Sequence, residues 1–397
     1  FLPCPLWEES LYPMSDIRKA FEQQYGYLPE IAARAPGRVE FIGNHTDYNG
    51  GEVLGAAVDR FLTVAVSPRS DDRIRFATEL DGEEICFDGP SDAFARAKGW
   101  VQYPVGVLSA LADAGIKPPA GFDFSVASEI PAGAGLSSSA AFELASSICL
   151  EALAGVELDR LERVRLCRKA ENDFVGVPCG ILDQGVSGFG EKDRLVHIDC
   201  ATEKIQTVCG PQNSRIWIFE SGKKHSLVDS LYSERNGECR EAFDRLKREV
   251  PSMDFLVNVT AGQLLGYMPV LADNVFRRAR HVVEEHERVQ RCVELLAAGD
   301  LPGVGELLSQ SHWSSSNLFE NSTLELDAIV RFLQEEDNVY GARLTGGGFG
   351  GAVMALCSDT FTEDQAERVA ERYSGKFGYK PKYCSLLIAD GATREPC

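Results

Sequence analysis

The chain has 397 residues, of which 44% are hydrophobic and 25% are charged, and its formal net charge at pH 7 is −20. This length allows one large or two medium domains with hydrophobic cores. Because nucleic acids and anionic membranes are bound by basic faces, the acidic balance argues against both kinds of partner.

The twelve cysteines show neither CxxC pairs nor the His/Cys spacing of zinc sites. Several lie in apolar runs such as SSICLEAL, which is typical of reduced thiols in a core. No secretory signal pattern and no apolar stretch of bilayer length is recognisable. We therefore expect a cytoplasmic protein, a monomer or weak dimer, that binds neither nucleic acid nor membranes.

Strand-like segments dominate the first third of the chain. A helical pattern over residues 10–25 precedes the strand-like runs FLTVAVSP and RIRFATELDGEEICFDG, and residues 100–114 and 143–154 are predicted to be helices. RIWIFESG is predicted to be a buried strand. These patterns predict a mixed sheet with helices on one face.

Helical periodicity dominates after about residue 225, in SLVDSLYSERNGECREAFDRLKREV, ADNVFRRARHVVEEHERVQRCVELLAAG and LELDAIVRFLQEE. Strand character returns in VYGARLTGGGFGGAVMALC and YKPKYCSLLIAD. We predict an α+β protein with two domains, residues 1–210 and 211–397. The first would hold the mixed sheet, and the second would be helix-rich with its own antiparallel sheet.

The segment PAGAGLSSSAA, residues 131–141, has the composition of a phosphate-binding loop. Gly133 and Gly135 allow backbone N–H groups to approach an anion, and the three serines that follow supply hydroxyls for helix capping, phosphate or Mg²⁺. GK[ST] and GxGxxG are both absent here, so the loop is neither a Walker A loop nor a Rossmann fingerprint. An ordinary serine N-cap is the structural alternative.

Two further segments are rich in glycine. APGRVEFIGNHTDYNGG, residues 35–51, adds polar side chains that can contact phosphoryl oxygens or a polyol, although the same residues are good turn formers. LTGGGFGG, residues 344–351, lies between two predicted strands. It predicts either a turn that brings backbone close to a ligand or a simple chain reversal.

These three segments, in this order and at these separations, resemble the signatures of the GHMP family of small-molecule kinases and, within it, the galactokinases. The first is close to the galactokinase signature GRxNxIGEHTDYNGG. Further matches are RKAENDFVGVPCGILDQ, KKHSLVDSLYSERNGECREA and RRARHVVEE. The resemblance implies the two-domain GHMP kinase fold and Mg²⁺-dependent transfer of phosphate from ATP to the anomeric hydroxyl of galactose, giving α-galactose 1-phosphate.

The resemblance assigns catalysis to Arg38 and Asp183. Arg38 would contact phosphate and the catalytic carboxylate, and Asp183 would be the base. A carboxylate within reach of a sugar hydroxyl can take its proton, and an adjacent guanidinium balances charge on the phosphoryl group. The residue types leave two roles open for Asp183, early proton removal or positioning with late proton acceptance.

The resemblance also assigns sugar contacts to Asn44, His45, Asp47, Gly180 and Tyr232. Asp47 can accept hydrogen bonds from two vicinal hydroxyls and so distinguish an axial from an equatorial neighbour. Without the resemblance, Tyr232 would be interpreted as a half-buried aromatic on an amphipathic helix.

For ATP, the resemblance implies phosphate contacts from Gly133 and Gly135 and from Ser137, Ser138 and Ser139. Ser138, Ser139 and Glu171 match the oxygen-rich surroundings of Mg²⁺, which keeps several waters and needs few protein ligands. Trp100 resembles the aromatic beside the adenine, with a core tryptophan as the structural alternative.

The signature contains Glu where this chain has Asn44. In the family that Glu lies by the C6 hydroxyl of the sugar, so a neutral amide changes both charge and donor capacity there. A kinase for a C6-altered sugar such as galacturonic acid is therefore a second hypothesis. A non-catalytic galactose and ATP sensor is a third, against which Arg38 and Asp183 argue. Another GHMP branch, such as homoserine or mevalonate kinase, is a fourth, and the polyol loop HTDYNGG disfavours it.

Overall fold

The computed structural model describes residues 16–78, 84–131, 135–177, 179–223 and 228–396. Within this part of the chain the contacts define two compact units. The first contains the described residues up to Arg38, Ala57–Lys192 and those from Ala389 onward, and the second contains Val39–Ala56 and Asp193–Ile388. These units are not the predicted domains 1–210 and 211–397, which stay a prediction.

The described residues contain twelve strands: β1 (Ile31–Ile42), β2 (Glu52–Pro68), β3 (Ile74–Thr78), β4 (Glu84–Phe87), β5 (Phe122–Ser128), β6 (Arg194–Asp199), β7 (Lys204–Cys209), β8 (Ser214–Glu220), β9 (Val339–Thr345), β10 (Ala352–Ser358), β11 (Lys382–Leu386) and β12 (Thr393–Arg394). They also contain twelve α-helices: α1 (Ile17–Tyr25), α2 (Pro90–Arg96), α3 (Gln102–Asp113), α4 (Ser138–Leu153), α5 (Arg160–Lys169), α6 (Leu182–Phe189), α7 (Val228–Glu249), α8 (Ala261–Gly266), α9 (Asp273–Ala298), α10 (Leu301–Ser314), α11 (Leu324–Gln334) and α12 (Glu363–Phe377).

The first unit is built on a mixed sheet with the strand order β12-β1-β2-β5-β3-β4. β3 pairs in parallel with β5, whereas β2 with β5 and β3 with β4 are antiparallel. Helix α4 is buried along most of its length and packs against α3, α5 and α6. Its composition explains this, because alanine and larger apolar residues occur on all of its faces. The predicted mixed sheet is present.

The second unit has a separate antiparallel sheet with the order β11-β8-β10-β9, as predicted. Apolar side chains of this sheet and of α11 and α12 form one core, which includes Phe219, Leu344 and Tyr373. A second core joins residues of α7 and α9 to Phe319. The β6–β7 hairpin pairs with the start of β2.

Two helix boundaries differ from the predictions. The helix predicted from residue 143 begins at Ser138, because serines of the glycine-serine loop (PAGAGLSSSAA, residues 131–141) enter its first turn. The helix predicted over 10–25 is described from Ile17, after Asp16, which caps it by accepting a hydrogen bond from the Arg18 N–H. The part of that prediction before residue 16 lies outside the described residues. Among the helices that are described, none is long and apolar enough to span a bilayer.

Candidate active site

Arg38 and Asp183 form an ion pair in the first unit. Arg38 lies in β1 with its side chain 7% exposed, and its Nε and Nη2 donate to Asp183 Oδ1 at 2.7 and 2.6 Å. Asp183 lies in the first turn of α6, and its side chain remains 23% exposed. The carboxylate therefore keeps an accessible surface while a buried guanidinium balances its charge.

The same two residues also hold the glycine-serine loop. Arg38 Nη1 donates to the Gly135 carbonyl at 2.6 Å, and the Ser137 hydroxyl donates to Asp183 Oδ2. The Arg38 N–H donates to the Leu136 carbonyl at 2.9 Å. A Cβ at Gly37 would lie 2.9 Å from that carbonyl oxygen, so the close approach of β1 to the loop requires glycine.

Ser137 is the N-cap residue of α4 by position, but its side chain makes no capping hydrogen bond. Its backbone has φ 49° and ψ 58°, the left-handed conformation, and its hydroxyl is bonded to Asp183 instead. The structural alternative, an ordinary serine N-cap, is therefore wrong for Ser137. The N-terminus of a 16-residue helix, with half-buried Ser138 and Ser139 in its first turn, is favourable for an anion. Gly133 lies outside the described residues.

Glu171 belongs to a buried cluster with two residues that the sequence did not single out, Glu143 and Gln184. Gln184 Nε2 donates to Glu171 Oε2 at 2.6 Å and to Glu143 Oε2 at 3.0 Å. Within the described residues, Glu143 Oε1 and Gln184 Oε1 have no hydrogen-bond partner. Two signals could have indicated this cluster: Glu143 lies one helical turn after Ser139, and Gln184 directly follows Asp183.

Burial raises the pKa of both glutamates. For Glu171 the second cause is the negative charge of Asp183, and hydrogen bonds from Cys179, Ser139 and Gln184 act in the opposite direction. For Glu143 burial and the charge of Glu171 raise the pKa well above its ordinary value. Burial and the nearby negative charge thus favour a proton on Glu143, whereas the hydrogen bond from the Gln184 amide lowers its pKa and acts against this.

The residues assigned to Mg²⁺ provide oxygen donors. Ser139 hydrogen-bonds to the carboxylate of Glu171, so hydroxyl and carboxylate oxygens meet beside the N-terminus of α4. In the described chain no three His, Cys, Asp or Glu side chains cluster in a way that could hold a metal ion by themselves. The donors fit Mg²⁺, which prefers oxygen and takes several of its ligands from water and phosphates.

The remaining residues assigned in the first unit are Trp100 and Gly180. Trp100 is 5% exposed and packs against Phe76 and Phe142, with ring centroids 6.1 and 6.0 Å away. These are core contacts, and its role beside adenine stays a prediction. Gly180 lies in the loop that leads into α6, three residues before Asp183.

Asn44 lies in the second unit and is 1% exposed. Its Nδ2 donates to Glu40 Oε1 at 3.0 Å and to the Gly346 carbonyl at 2.8 Å. Its Oδ1 accepts from Asn321 Nδ2 at 2.8 Å and from the Ser315 hydroxyl at 3.2 Å. Because both amide hydrogens and the oxygen are bonded to protein, a direct contact of Asn44 with a sugar stays a prediction that this geometry does not favour.

His45 is buried with φ 61°. Its Nε2 lies 3.2 Å from the Gly347 carbonyl and its Nδ1 lies 3.0 Å from the Tyr48 hydroxyl. Burial, and then repulsion from the neighbouring His281 ring when it is protonated, lower its pKa to about 3, so the imidazole is neutral. Tyr232 is half-buried on α7, and its ring centroid lies 5.2 Å from that of His45. Asp47 is the first residue of a short 3₁₀ helix, Asp47–Asn49.

The LTGGGFGG loop anchors these residues. Gly346 and Gly347 accept hydrogen bonds through their carbonyl groups from Asn44 and Asn321, respectively. Gly348 has φ 81°, and a Cβ there would lie 2.3 Å from the Asn321 carbonyl oxygen. The loop therefore does more than reverse the chain, because its backbone holds the HTDYNGG segment in place.

The predicted site residues thus form two groups. The first unit contains Trp100, Arg38, Asp183, Glu171, Gly180, Gly135 and the three serines, and the second contains Asn44, His45, Asp47 and Tyr232.

Comparison with known proteins identifies the class and the family. A galactokinase galactose-binding signature matches residues 19–68, the GHMP kinases N terminal domain matches 102–191, and the GHMP kinases C terminal domain matches 292–380. The structure of a mevalonate kinase has a TM-score of 0.64 at 17% identity, covering 90% of this chain and 99% of that chain. The fold is that of a GHMP kinase, and the predicted fold class is confirmed.

More specific matches come from full-length relatives. The galactokinases of Chloroflexus aurantiacus and Staphylococcus carnosus are each 36% identical to this chain, over 94% and 95% of it and 96% and 98% of their own lengths. The structure of Lactococcus lactis galactokinase complexed with galactose has a TM-score of 0.90 at 33% identity, and covers 95% of this chain and 98% of that chain. The chain belongs to the galactokinase family. This decides against the homoserine and mevalonate kinase branches.

Proposed function

We propose that the protein transfers the γ-phosphoryl group of ATP to the anomeric hydroxyl of galactose, giving α-galactose 1-phosphate and ADP. Membership of the galactokinase family and the match to its galactose-binding signature support the substrates. The observation that carries the proposal is that Asp183 accepts hydrogen bonds from both Arg38 and Ser137 at the N-terminus of α4.

In this proposal Asp183 orients the C1 hydroxyl and receives its proton. The sugar oxygen forms a bond to the γ-phosphorus, the bond from that phosphorus to the bridging oxygen of ADP breaks, and ADP leaves with the electron pair. Arg38 balances the charge of Asp183 and of the transferring group, a role that its buried, multiply bonded guanidinium supports.

The phosphates would be held by Ser137, Ser138 and Ser139 and by the backbone of the glycine-serine loop, at the positive end of the α4 dipole. Mg²⁺, held by Ser138, Ser139 and Glu171 together with water, would neutralise charge on the phosphates when bound. The contacts of His45, Asp47, Tyr232 and Gly180 with sugar hydroxyls are proposals drawn from the motif.

The hypothesis of a C6-altered sugar depended on Asn44 facing the substrate. Its amide is saturated by protein groups, so we favour galactose. The test is ADP release with ATP, Mg²⁺ and a panel of galactose, galacturonic acid, N-acetylgalactosamine, glucose and arabinose. We expect galactose to give the highest kcat/KM. A preference for galacturonic acid, or binding of galactose and ATP with negligible turnover, would overturn the proposal.

A further inference from the structure

Glu40 is a buried carboxylate in β1 that has no role in the reaction proposed above. Its side chain is 6% exposed, and Oε1 accepts from Arg343 Nη2 at 2.8 Å and from Asn44 Nδ2 at 3.0 Å. Arg343 is fully buried. A charge removed from water in this way requires close partners, and here the guanidinium and the amide supply them to the carboxylate.

Arg343 and Glu285 extend this network to the backbone at position 44. Arg343 Nη1 donates to the Glu40 carbonyl at 3.0 Å, and Arg343 Nε donates to the Ser311 hydroxyl at 3.1 Å. Ser311 donates to Glu285 Oε1 at 2.6 Å, and that oxygen accepts from the Asn44 N–H at 3.1 Å. Position 44 is therefore held at its side chain by Glu40 and at its backbone by Glu285.

The far side of Asn44 connects to His45. Asn321 Nδ2 donates to Asn44 Oδ1 at 2.8 Å and lies 3.1 Å from His45 Nε2. A displacement of the Asn44 amide would therefore move a neighbour of the imidazole. The network runs from Glu40 to the part of the loop that the motif assigns to the sugar.

The galactokinase signature GRxNxIGEHTDYNGG has Asn at the position of Glu40 and Glu at the position of Asn44. In this chain the two residue types are exchanged, and the structure shows that their side chains are in contact. The change at Asn44 is therefore not an isolated departure from the signature. One carboxyl group and one amide remain in the pair, so its formal charge is the same in either arrangement.

We propose that Glu40 and Asn44 are a compensated pair, and that Glu40 is a positioning residue for the sugar-binding loop that acts through Asn44. The exchange keeps one negative charge against Arg343 and one amide that bridges the strand to the LTGGGFGG loop. This inference rests on the proposed function for its kinetic readout.

The test is a double-mutant cycle with Glu40→Asn, Asn44→Glu and the double exchange. Glu40→Asn leaves Arg343 without its carboxylate, and Asn44→Glu places two carboxylates together in a buried site. Each single variant should raise the KM for galactose by about tenfold or more with little change in the KM for ATP. The double exchange should recover the galactose KM to within about threefold of the original value. Additive losses in the double variant would overturn the proposal.

Glu40→Gln keeps the size and the acceptor oxygen but removes the charge, and it covers the case in which the exchange variants do not fold. It should raise the galactose KM and lower the Tm, and Glu371→Gln on the exposed face of α12 is its matched control. An unchanged galactose KM in Glu40→Gln would contradict the positioning role. If the unaltered protein does not phosphorylate galactose, the proposed function fails, and recovery of the Tm in the double exchange still decides whether the pair is compensated.

Discussion

The two groups of predicted site residues use their polar atoms differently. Around Asp183 in the first unit, the carboxylate keeps 23% of its side-chain surface exposed, and Ser138 and Ser139 are half-buried at a helix N-terminus. Around Asn44 in the second unit, the amide is 1% exposed and every hydrogen-bonding group of its side chain is bonded to protein.

This difference separates residues that can act on a ligand from residues that shape the surface presented to it. Polar groups with remaining exposure can exchange water for substrate, whereas a saturated buried network fixes the backbone and costs stability when one member is removed. We therefore expect substitutions of Asp183, Ser138 and Ser139, which keep some exposure, to reduce turnover with little effect on stability. Substitutions in the second group should reduce stability and raise the KM for the sugar.

The largest effect is expected for Asp183→Asn. Loss of the proton acceptor should lower kcat by about 10²- to 10⁴-fold, with a Tm close to that of the unaltered protein. Steady-state ADP release and thermal unfolding would check both expectations. Asp173→Asn, whose side chain is 66% exposed, is the matched control and should retain full activity. Near-normal turnover of Asp183→Asn would remove its assigned role.

Gly348→Ala tests the second group. The new Cβ would meet the Asn321 carbonyl oxygen at 2.3 Å, and the residue has φ 81°. We expect a loss of about 2–4 kcal/mol in the free energy of unfolding and a raised galactose KM. Denaturant unfolding gives the first quantity.

The control for Gly348→Ala is Gly375→Ala in α12, where a Cβ would meet nothing within 4 Å. This substitution should be neutral or slightly stabilising, because alanine favours a helix. Equal unfolding free energies for the two variants would contradict the anchoring role of the LTGGGFGG loop.

Gly37→Ala sharpens the comparison in the first unit. A Cβ at 2.9 Å from the Leu136 carbonyl oxygen would push the glycine-serine loop away from Arg38. We expect the KM for ATP to rise about tenfold, equivalent to about 1.4 kcal/mol, while the KM for galactose changes less. A larger effect on galactose than on ATP would show that this loop does not serve the phosphates.

The smallest effect is expected for Glu143→Gln and depends on pH. The folded state raises the pKa of Glu143, so its contribution to stability is full below the ordinary value of 4.5 and is lost as the pH rises toward the raised value. The amide does not titrate, so the Tm of Glu143→Gln relative to the unaltered protein should be higher at pH 8 than at pH 5. Glu371→Gln should show no such trend, and a parallel pH dependence in all three proteins would contradict the assignment.

The motifs in the sequence were sufficient for the fold class, and the family resemblance that they carry also predicted the contact of Arg38 with Asp183, although these residues lie 145 positions apart. It did not show the burial of Glu143, since a glutamate in a helix is usually exposed. It also gave no access to the partners of Asn44, which come from Ser315, Asn321 and Gly346, about 270 to 300 positions away.

The sequence also did not show the surroundings of Glu40, although this residue lies only four positions from Asn44. A charged residue in a strand is compatible with an exposed edge, and its partner Arg343 lies 303 positions away. The galactokinase signature differs from this chain at Glu40 as well as at Asn44, but only the structure shows that the two side chains are in contact.

Phosphorus NMR of the reaction with ATP, Mg²⁺ and galactose tests the central claim most directly. We predict that α-galactose 1-phosphate appears at the same rate as ADP with the unaltered protein, and that both rates fall by at least about 10²-fold with Asp183→Asn. ADP formation without a sugar phosphate, or phosphorylation of a hydroxyl group other than that at C1, would contradict the account.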